Sequence, residues 1–144
     1  MPQPIDLNKR HYMFTDDIKF LQKAIVFNPD GDRFLLLKRA SYHPTRPNEW
    51  DLPGGNVAFG QNNMDSLLQE IKEEVHIDVK DVRPLQVKSK YENNIYYLYI
   101  GYTAHAINTD ITLSKEHTEY KWVSKNEFLE LTLADFLREL ISLI

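Results

Sequence analysis

Three carboxylates, Glu70, Glu73 and Glu74, stand at positions i, i+3 and i+4 of the segment Gln69-Glu70-Ile71-Lys72-Glu73-Glu74-Val75. On a helix this spacing puts all three on one face, about one turn apart. Like charges so close repel and weaken an isolated helix. A hard divalent cation turns that repulsion into attraction, and Mg2+ takes oxygen ligands while keeping part of its water shell. Two or three such carboxylates, completed by phosphate oxygens, suit it. The same string is also common on solvated helix faces, and Lys72 sits among the acids, so spacing alone leaves both readings open.

The elements that must position these carboxylates are legible around them. The helix is expected over Asn62 to Val75, with Asn62 as N-cap and Asp65 in a capping-box-like position. Met64, Leu67, Leu68, Ile71 and Val75 form the apolar stripe opposite the acids. Upstream, Lys19 to Phe27 reads as a strand, Asn28-Pro29-Asp30-Gly31-Asp32 as a turn, and Arg33 to Lys38 as a second strand. The unbroken run Phe34-Leu35-Leu36-Leu37 predicts burial on both faces. Ser41 to Glu49, with Pro44 and Pro47, reads as a loop, and Trp50 to Gly55 leads towards the helix. Further strands are expected over Val82 to Lys90, Ile95 to Ala106 and around Tyr120 to Val123. Leu133 to Ile144 reads as an amphipathic helix docking through Phe136, Leu137, Leu140 and Ile144. Together these predict an α/β fold, a central mixed β-sheet between helices in an α/β/α sandwich. Residues 1–16 read as an N-terminal arm and 17–144 as one domain.

Composition narrows the chemistry. The chain has 144 residues, enough for one core, with 21 acidic and 17 basic side chains and a formal charge of −4. No broad basic field exists, which argues against long nucleic acid as the main partner. A small polyanion must be met by local cations or a metal. The absence of cysteine excludes disulfides, thiolate metal sites and a Cys nucleophile. Met1 to Lys9 lacks an apolar signal core, and no apolar run approaches the ~20 residues of a membrane helix. A cytoplasmic location without membrane contact is the expectation, and a homodimer is left open.

From Gly55 onward the chain resembles the Nudix hydrolase family, MutT-like proteins whose box is G-x5-E-x7-R-E-U-x-E-E-x-G-U, U being bulky and aliphatic. The defined positions fall on Gly55, Gln61, Gln69, Glu70, Ile71, Glu73, Glu74, His76 and Ile77, and six of the nine agree. Leu35-Leu36-Leu37-Lys38-Arg39 is similar to the family's strand ending in Arg, and Trp50-Asp51-Leu52-Pro53-Gly54-Gly55 to its W-x-L-P-G-G entry. Glu116 to Val123 resembles its later E-H-x-E-x-x-W-V strand. Three positions depart: Gln61 for Glu, Gln69 for Arg, and His76 for Gly. His76 is expected to close the helix in a left-handed conformation, at a cost of ~1 kcal/mol.

The resemblance implies Mg2+-dependent hydrolysis of a pyrophosphate bond in a nucleoside diphosphate linked to another group, with Mn2+ as a substitute ion. It implies Glu70, Glu73 and Glu74 as metal-site residues, joined by a backbone carbonyl of the Gly54-Gly55 turn. Glu73 or Glu70 then handles the water, with Glu116 and, after it, Glu119 as candidates for a base from a later loop. Arg39 and Lys38 are candidates to grip phosphate; an Arg capping the strand end in a salt bridge is the equal alternative. Gly55, Gln61 and Gln69 are structural positions of the box. Tyr96, Tyr97, Tyr99 and Tyr102 read as sheet packing, and His43 and His105 as structural. The Pro that marks ADP-ribose enzymes downstream of the box is Glu92 here, and the Tyr of dinucleoside polyphosphate enzymes is Asn94, which favours a nucleoside triphosphate or another small pyrophosphate. The two Gln departures keep a second class alive, a Nudix-fold module that binds or senses a nucleotide without turnover.

Overall fold

A computed structural model describes residues 17–144; the arm expected over 1–16 lies outside the described residues. β1 (Asp17–Phe27) and β2 (Phe34–Arg39) flank the expected turn. The Asn28 side chain accepts hydrogen bonds from the Asp32 and Arg33 N–H groups and closes it. Phe34, Leu35, Leu36 and Leu37 are all fully buried, as their unbroken apolar run requires. β2 itself lies one residue later than expected.

β1 and β2 meet only at the hairpin end, where Phe27 faces Phe34. Beyond it they part. β3 (Trp50–Asp51) pairs with β2, and β4 (Gly54–Asn56) pairs with β1. Residues 50–56 are therefore a wedge between the two strands, fixed further by the Ala24 N–H donating to the Pro53 carbonyl at 2.9 Å. The other edge of β1 pairs in parallel with β6 (Ile95–Ala106), and β6 pairs antiparallel with β5 (Val79–Glu92). β7 (His117–Val123) pairs antiparallel with β2. The sheet is mixed, as expected.

Helices cover both faces. α1 (Asn63–Val75) sets Leu67, Ile71 and Val75 against Ala24, Val26, Leu35 and Leu37. α2 (Asp135–Ile141) sets Leu137, Leu140 and Ile141 against Ile25, Phe34 and Leu36. This is the expected α/β/α sandwich. Four local expectations are corrected. Asn62 is the N-cap of α1, but its side chain makes no cap hydrogen bond, so no capping box forms. Leu68 stays exposed rather than joining the stripe. β5 is longer than Val82 to Lys90 because it absorbs two register shifts, near Asp81 at φ 52° and near Pro84. As an edge strand it tolerates a proline that cannot donate to a neighbour. α2 is shorter than Leu133 to Ile144, because Leu133 is taken up by a bridge to Trp50 and Ala134 is extended.

α1 ends as its sequence requires. His76 is left-handed at φ 58° and ψ 34°, and its N–H returns to the Lys72 carbonyl. Its ring Nδ1 lies 2.7 Å from the Thr112 carbonyl, a contact a glycine would lack.

Candidate active site

Strand alternation places Lys19, Leu21 and Lys23 of β1 on the sheet face that α2 covers. Lys23 is buried, and a buried ammonium needs an anion and hydrogen-bond acceptors. It finds Asp51 Oδ2 at 3.1 Å, across the β1–β3 wedge, and the Leu52 carbonyl at 3.1 Å. Asp51 is 0% exposed and gathers two more cations on the same oxygen, Arg39 Nη1 at 2.7 Å and Arg46 Nη2 at 3.4 Å. Its other oxygen accepts from the Leu52 N–H at 2.8 Å. Burial alone would raise its pKa; Lys23, Arg46 and Arg39 together hold it down at about 2.

α1 brings its carboxylates to the other side of this cluster. Glu74 is 4% exposed, tucked against the Gly54 turn. Its Oε1 accepts from the Gly54 N–H at 3.4 Å, and its Oε2 has no hydrogen-bond partner among the described residues. Burial pushes its pKa well above the usual carboxylate value; Lys23 opposes this, and Asp51 and Glu70 add to it. Glu70, half-buried, is pushed up by burial and by the charges of Glu73 and Glu116. Gly55 makes room for it: a Cβ there would stand 3.0 Å from the Glu70 carboxylate. Gly54, at φ 135°, lets the chain pass close under β1.

One cleft of about 470 Å3 is lined by the carboxylates Glu70 and Glu74 and the cations Lys23, Arg39 and Arg46, with the exposed Glu116 also in its lining. Of the residues expected from sequence, it brings together Glu70, Glu74, Gly54, Gly55, Glu116 and Arg39. Glu73 lies on the exposed side of α1, where Gln69 Nε2 donates to its Oε1 at 2.8 Å. Gln61 is apart from Gln69, accepting from the Ala58 N–H at 3.3 Å. Lys38 lies outside the cleft lining and pairs with Glu119 at 3.6 Å. Arg39 is committed on three sides: to Asp51, to the Thr45 carbonyl and hydroxyl, and to the His43 ring. His43 lines the cleft too, its pKa lowered by burial and by Arg39.

Asp51, Lys23 and Arg46 were not singled out from the sequence. A signal existed for two of them. Lys23 opens onto the apolar run Ala24-Ile25-Val26-Phe27 and Asp51 lies between Trp50 and Leu52, and a charge so flanked must find a partner when its strand is buried. Arg46, in a loop between two prolines, gave none. Its backbone is left-handed at φ 48°, and its Nη1 is buried without a hydrogen-bond partner among the described residues.

The set fits a hard divalent cation. Glu70 and Glu74 offer carboxylate oxygens, one of them buried and without a hydrogen-bond partner among the described residues, and the Gly54-Gly55 turn lines the same cleft, its Gly54 carbonyl accepting from Lys23 Nζ at 3.5 Å. Among the described residues no cluster of three acidic or histidine side chains stands ready-made, so substrate oxygens and water would complete the shell.

Comparison with known proteins agrees. The NUDIX domain model matches residues 23–144. The nucleoside triphosphatase NudI of Salmonella arizonae is 30% identical over 106 residues, 66% of this chain and 75% of that protein. The NudI of Escherichia fergusonii is 28% identical over 136 residues, 85% of this chain and 96% of that protein. Among solved structures, the MutT protein from Methanosarcina mazei superposes with a TM-score of 0.72 at 26% identity, covering 89% of this chain and 93% of that one. Nudix enzymes generally use divalent metal ions and cleave pyrophosphate bonds in nucleotide substrates. With the domain match running through the wedge, α1 and α2 alike, the chain belongs to the Nudix family and is a Nudix-type pyrophosphohydrolase.

Proposed function

We propose that the protein hydrolyses a nucleoside triphosphate or a similar small pyrophosphate in a Mg2+-dependent reaction, with Mn2+ able to substitute. The observation that carries this reading is the buried Glu74 Oε2, without a hydrogen-bond partner among the described residues, in a cleft that Lys23, Arg39 and Arg46 also line. Leaving a buried carboxylate oxygen unpaired is costly, and a bound cation removes that cost. Glu70, Glu74 and a carbonyl of the Gly54-Gly55 turn would hold the ion, with Glu73 as the third carboxylate of the set on α1. When bound, the ion neutralises charge on the phosphate oxygens and makes a water easier to deprotonate.

The chain's own groups do the rest. Lys23, Arg39 and Arg46 make a positive wall against which a phosphate chain can lie. Arg46, whose Nη1 has no hydrogen-bond partner among the described residues, is the better placed of the two arginines to grip phosphate, because Arg39 is already spent on Asp51, Thr45 and His43. Lys38, held by Glu119, adds only long-range charge. Water attacks phosphorus, the anhydride P–O bond breaks, and the water's proton passes to a carboxylate. Glu73 or Glu70 serves from α1 and Glu116 from the rim. The relatives named nucleoside triphosphatases support a nucleotide substrate.

Glu74→Gln tests the reading. It keeps the shape and loses the charge, so Mg2+-dependent turnover of a nucleoside triphosphate should fall at least about a hundredfold with the fold intact. Unchanged phosphate release would remove Glu74 from the site.

A further inference from the structure

The sheet face that α1 covers runs on beyond the helix. Asn63, the first residue of α1, sits over Gln22 and Tyr102: its carbonyl accepts from Gln22 Nε2 at 2.7 Å, and its amide donates to Tyr102 Oη at 3.1 Å. β1, β6 and β5 extend past this point. By strand alternation Ile18 and Phe20 continue the face of Ala24 and Val26, and Leu98 and Ile100 that of Tyr102 and Ala104. Register sets the rows. Gln22 faces Ile100, which faces Val87; Phe20 faces Leu98, which faces Ser89; Ile18 faces Tyr96, which faces Tyr91. No charge stands in these rows, whereas the other face of the same strands carries Lys19, Lys88 and Lys90. Ile18 is 53% exposed and Val87 64%. Single exposed aliphatics are ordinary, but a contiguous apolar patch marks an interaction surface. Ile18, Phe20 and Val87 line no part of the hydrolytic cleft.

We propose that this face is the docking site of the chain's own N-terminal segment, with Tyr12, Met13 and Phe14 as its anchors. Size selects the occupant. Three strands about 4.8 Å apart, over four steps of about 3.3 Å, bound a patch on the order of 300 Å2 once side-chain width is added. A stable dimer buries about 800 Å2 on each partner, so a second copy is too large an occupant. An extended segment of five residues is about 17 Å long and matches the patch. Position selects the segment. β1 begins at Asp17, beside Ile18 at the open end of the face, and only Thr15 and Asp16 separate it from Phe14. Asp and Thr both favour turns, which a chain folding back onto its own strand requires. Chemistry agrees: Tyr12-Met13-Phe14 is an uncharged, apolar run, like the rows it would meet. So short a tether gives the segment a millimolar effective concentration, and a contact too weak to hold a separate peptide suffices.

The test uses the full chain and needs no turnover, so it stands apart from the hydrolase reading. The chain has no cysteine, and one introduced thiol is therefore a unique labelling site. A nitroxide on Ser89→Cys, an exposed position in the middle row, should erase the NMR amide signals of residues 12–14. A nitroxide on Asn126→Cys, just past the β7 end where Val123 faces Phe34, should leave them intact. Phe14→Ser and Val87→Ser should each lower Tm by about 2–4 °C, and together by less than the sum, because both remove the same contact. Signals untouched by the Ser89 label, or Tm shifts that are absent or simply additive, overturn the proposal. So does broadening in a mixture of isotope-labelled parent with unenriched, nitroxide-labelled Ser89→Cys, which would assign the face to a second copy.

Discussion

Lys23 and Asp51 meet at 3.1 Å inside the sheet, one from β1 and one from the wedge, and both are almost wholly shielded from water. The contact ties the strand that carries the phosphate wall to the segment that leads into α1. A charge pair so placed is not optional once it exists: removing one partner leaves the others buried and uncompensated. Asp51→Asn should therefore cost about 3–5 kcal/mol, because three cations lose their common anion. Urea melts measure it. A loss below about 1 kcal/mol, the worth of an exposed pair, would show that water reaches the cluster.

The same residue sets a pH dependence. The Asp51 pKa is depressed from 3.8 to about 2, so its stabilisation, about 2 kcal/mol, is fully present above pH 4 and lost as pH falls towards 2. His117, buried on β7, adds loss in a higher window. Burial lowers its pKa from 6.5 to about 4, so it stays neutral when folded while the unfolded chain takes up a proton. Stability should decline from about pH 6.5 down to 4, and His117→Asn should flatten that segment of the curve. A parent protein equally stable at pH 4 and pH 7 would contradict the His117 assignment, and one that loses no stability between pH 4 and pH 2 would contradict that of Asp51.

Millimolar Mg2+ should raise Tm even without substrate, since the ion binds only the folded carboxylate pair. Because burial raises the Glu74 pKa, protons compete with the ion, and the shift should grow with pH and fade in acid. Melting scans at several pH values, with Glu74→Gln alongside, would show it; a similar shift in the variant places the ion elsewhere.

Adjacent glycines should behave differently. Gly54→Ala would put a Cβ 2.1 Å from the Gln22 carbonyl oxygen at φ 135°, and should cost several kcal/mol. Gly55→Ala would press only on the mobile end of Glu70, at 3.0 Å. It should leave Tm within about 2 °C and lower kcat/KM about tenfold through a displaced carboxylate. Melting and steady-state kinetics on the two variants separate a folding glycine from a catalytic one.

Gln69 holds Glu73 through an uncharged amide donor where the family's Arg would supply a cationic one. The pair is exposed, which shrinks the difference, so Gln69→Arg should raise kcat about two- to fivefold with little change in KM. Gln61 bonds Ala58 instead, so adding Gln61→Glu should act independently. A rise seen only in the double variant would mean that the two positions cooperate.

Local signals carried the parts of this molecule that local physics dictates. α1 ends at Val75 and closes on a left-handed His76 because its apolar stripe and its Nudix box both stop there. β6 begins and ends where its alternation does, at Ile95 and Ala106. The Asp51 cluster was legible only in part: Lys23 and Asp51 each announced a need for a partner, but the cations come from three segments that only the wedge brings together. The bulges of β5 hid for a related reason: Asp81 adopts φ 52° through its sheet context, not through a turn motif.

The wedge also bears on the order in which the protein assembles. The β1–β2 hairpin closes a short loop and can form at once. The parallel pairing of β1 with β6, Asp17 opposite Ile95, must wait for most of the chain, because loop closure over such a separation is slow. Residues 50–56 can be clamped only when both strands are in place, and Lys23 then meets Asp51. The hydrolytic cleft is thus expected to be among the last features to mature during folding, and a nascent chain stalled before β6 would expose α1's acids without the cations that face them.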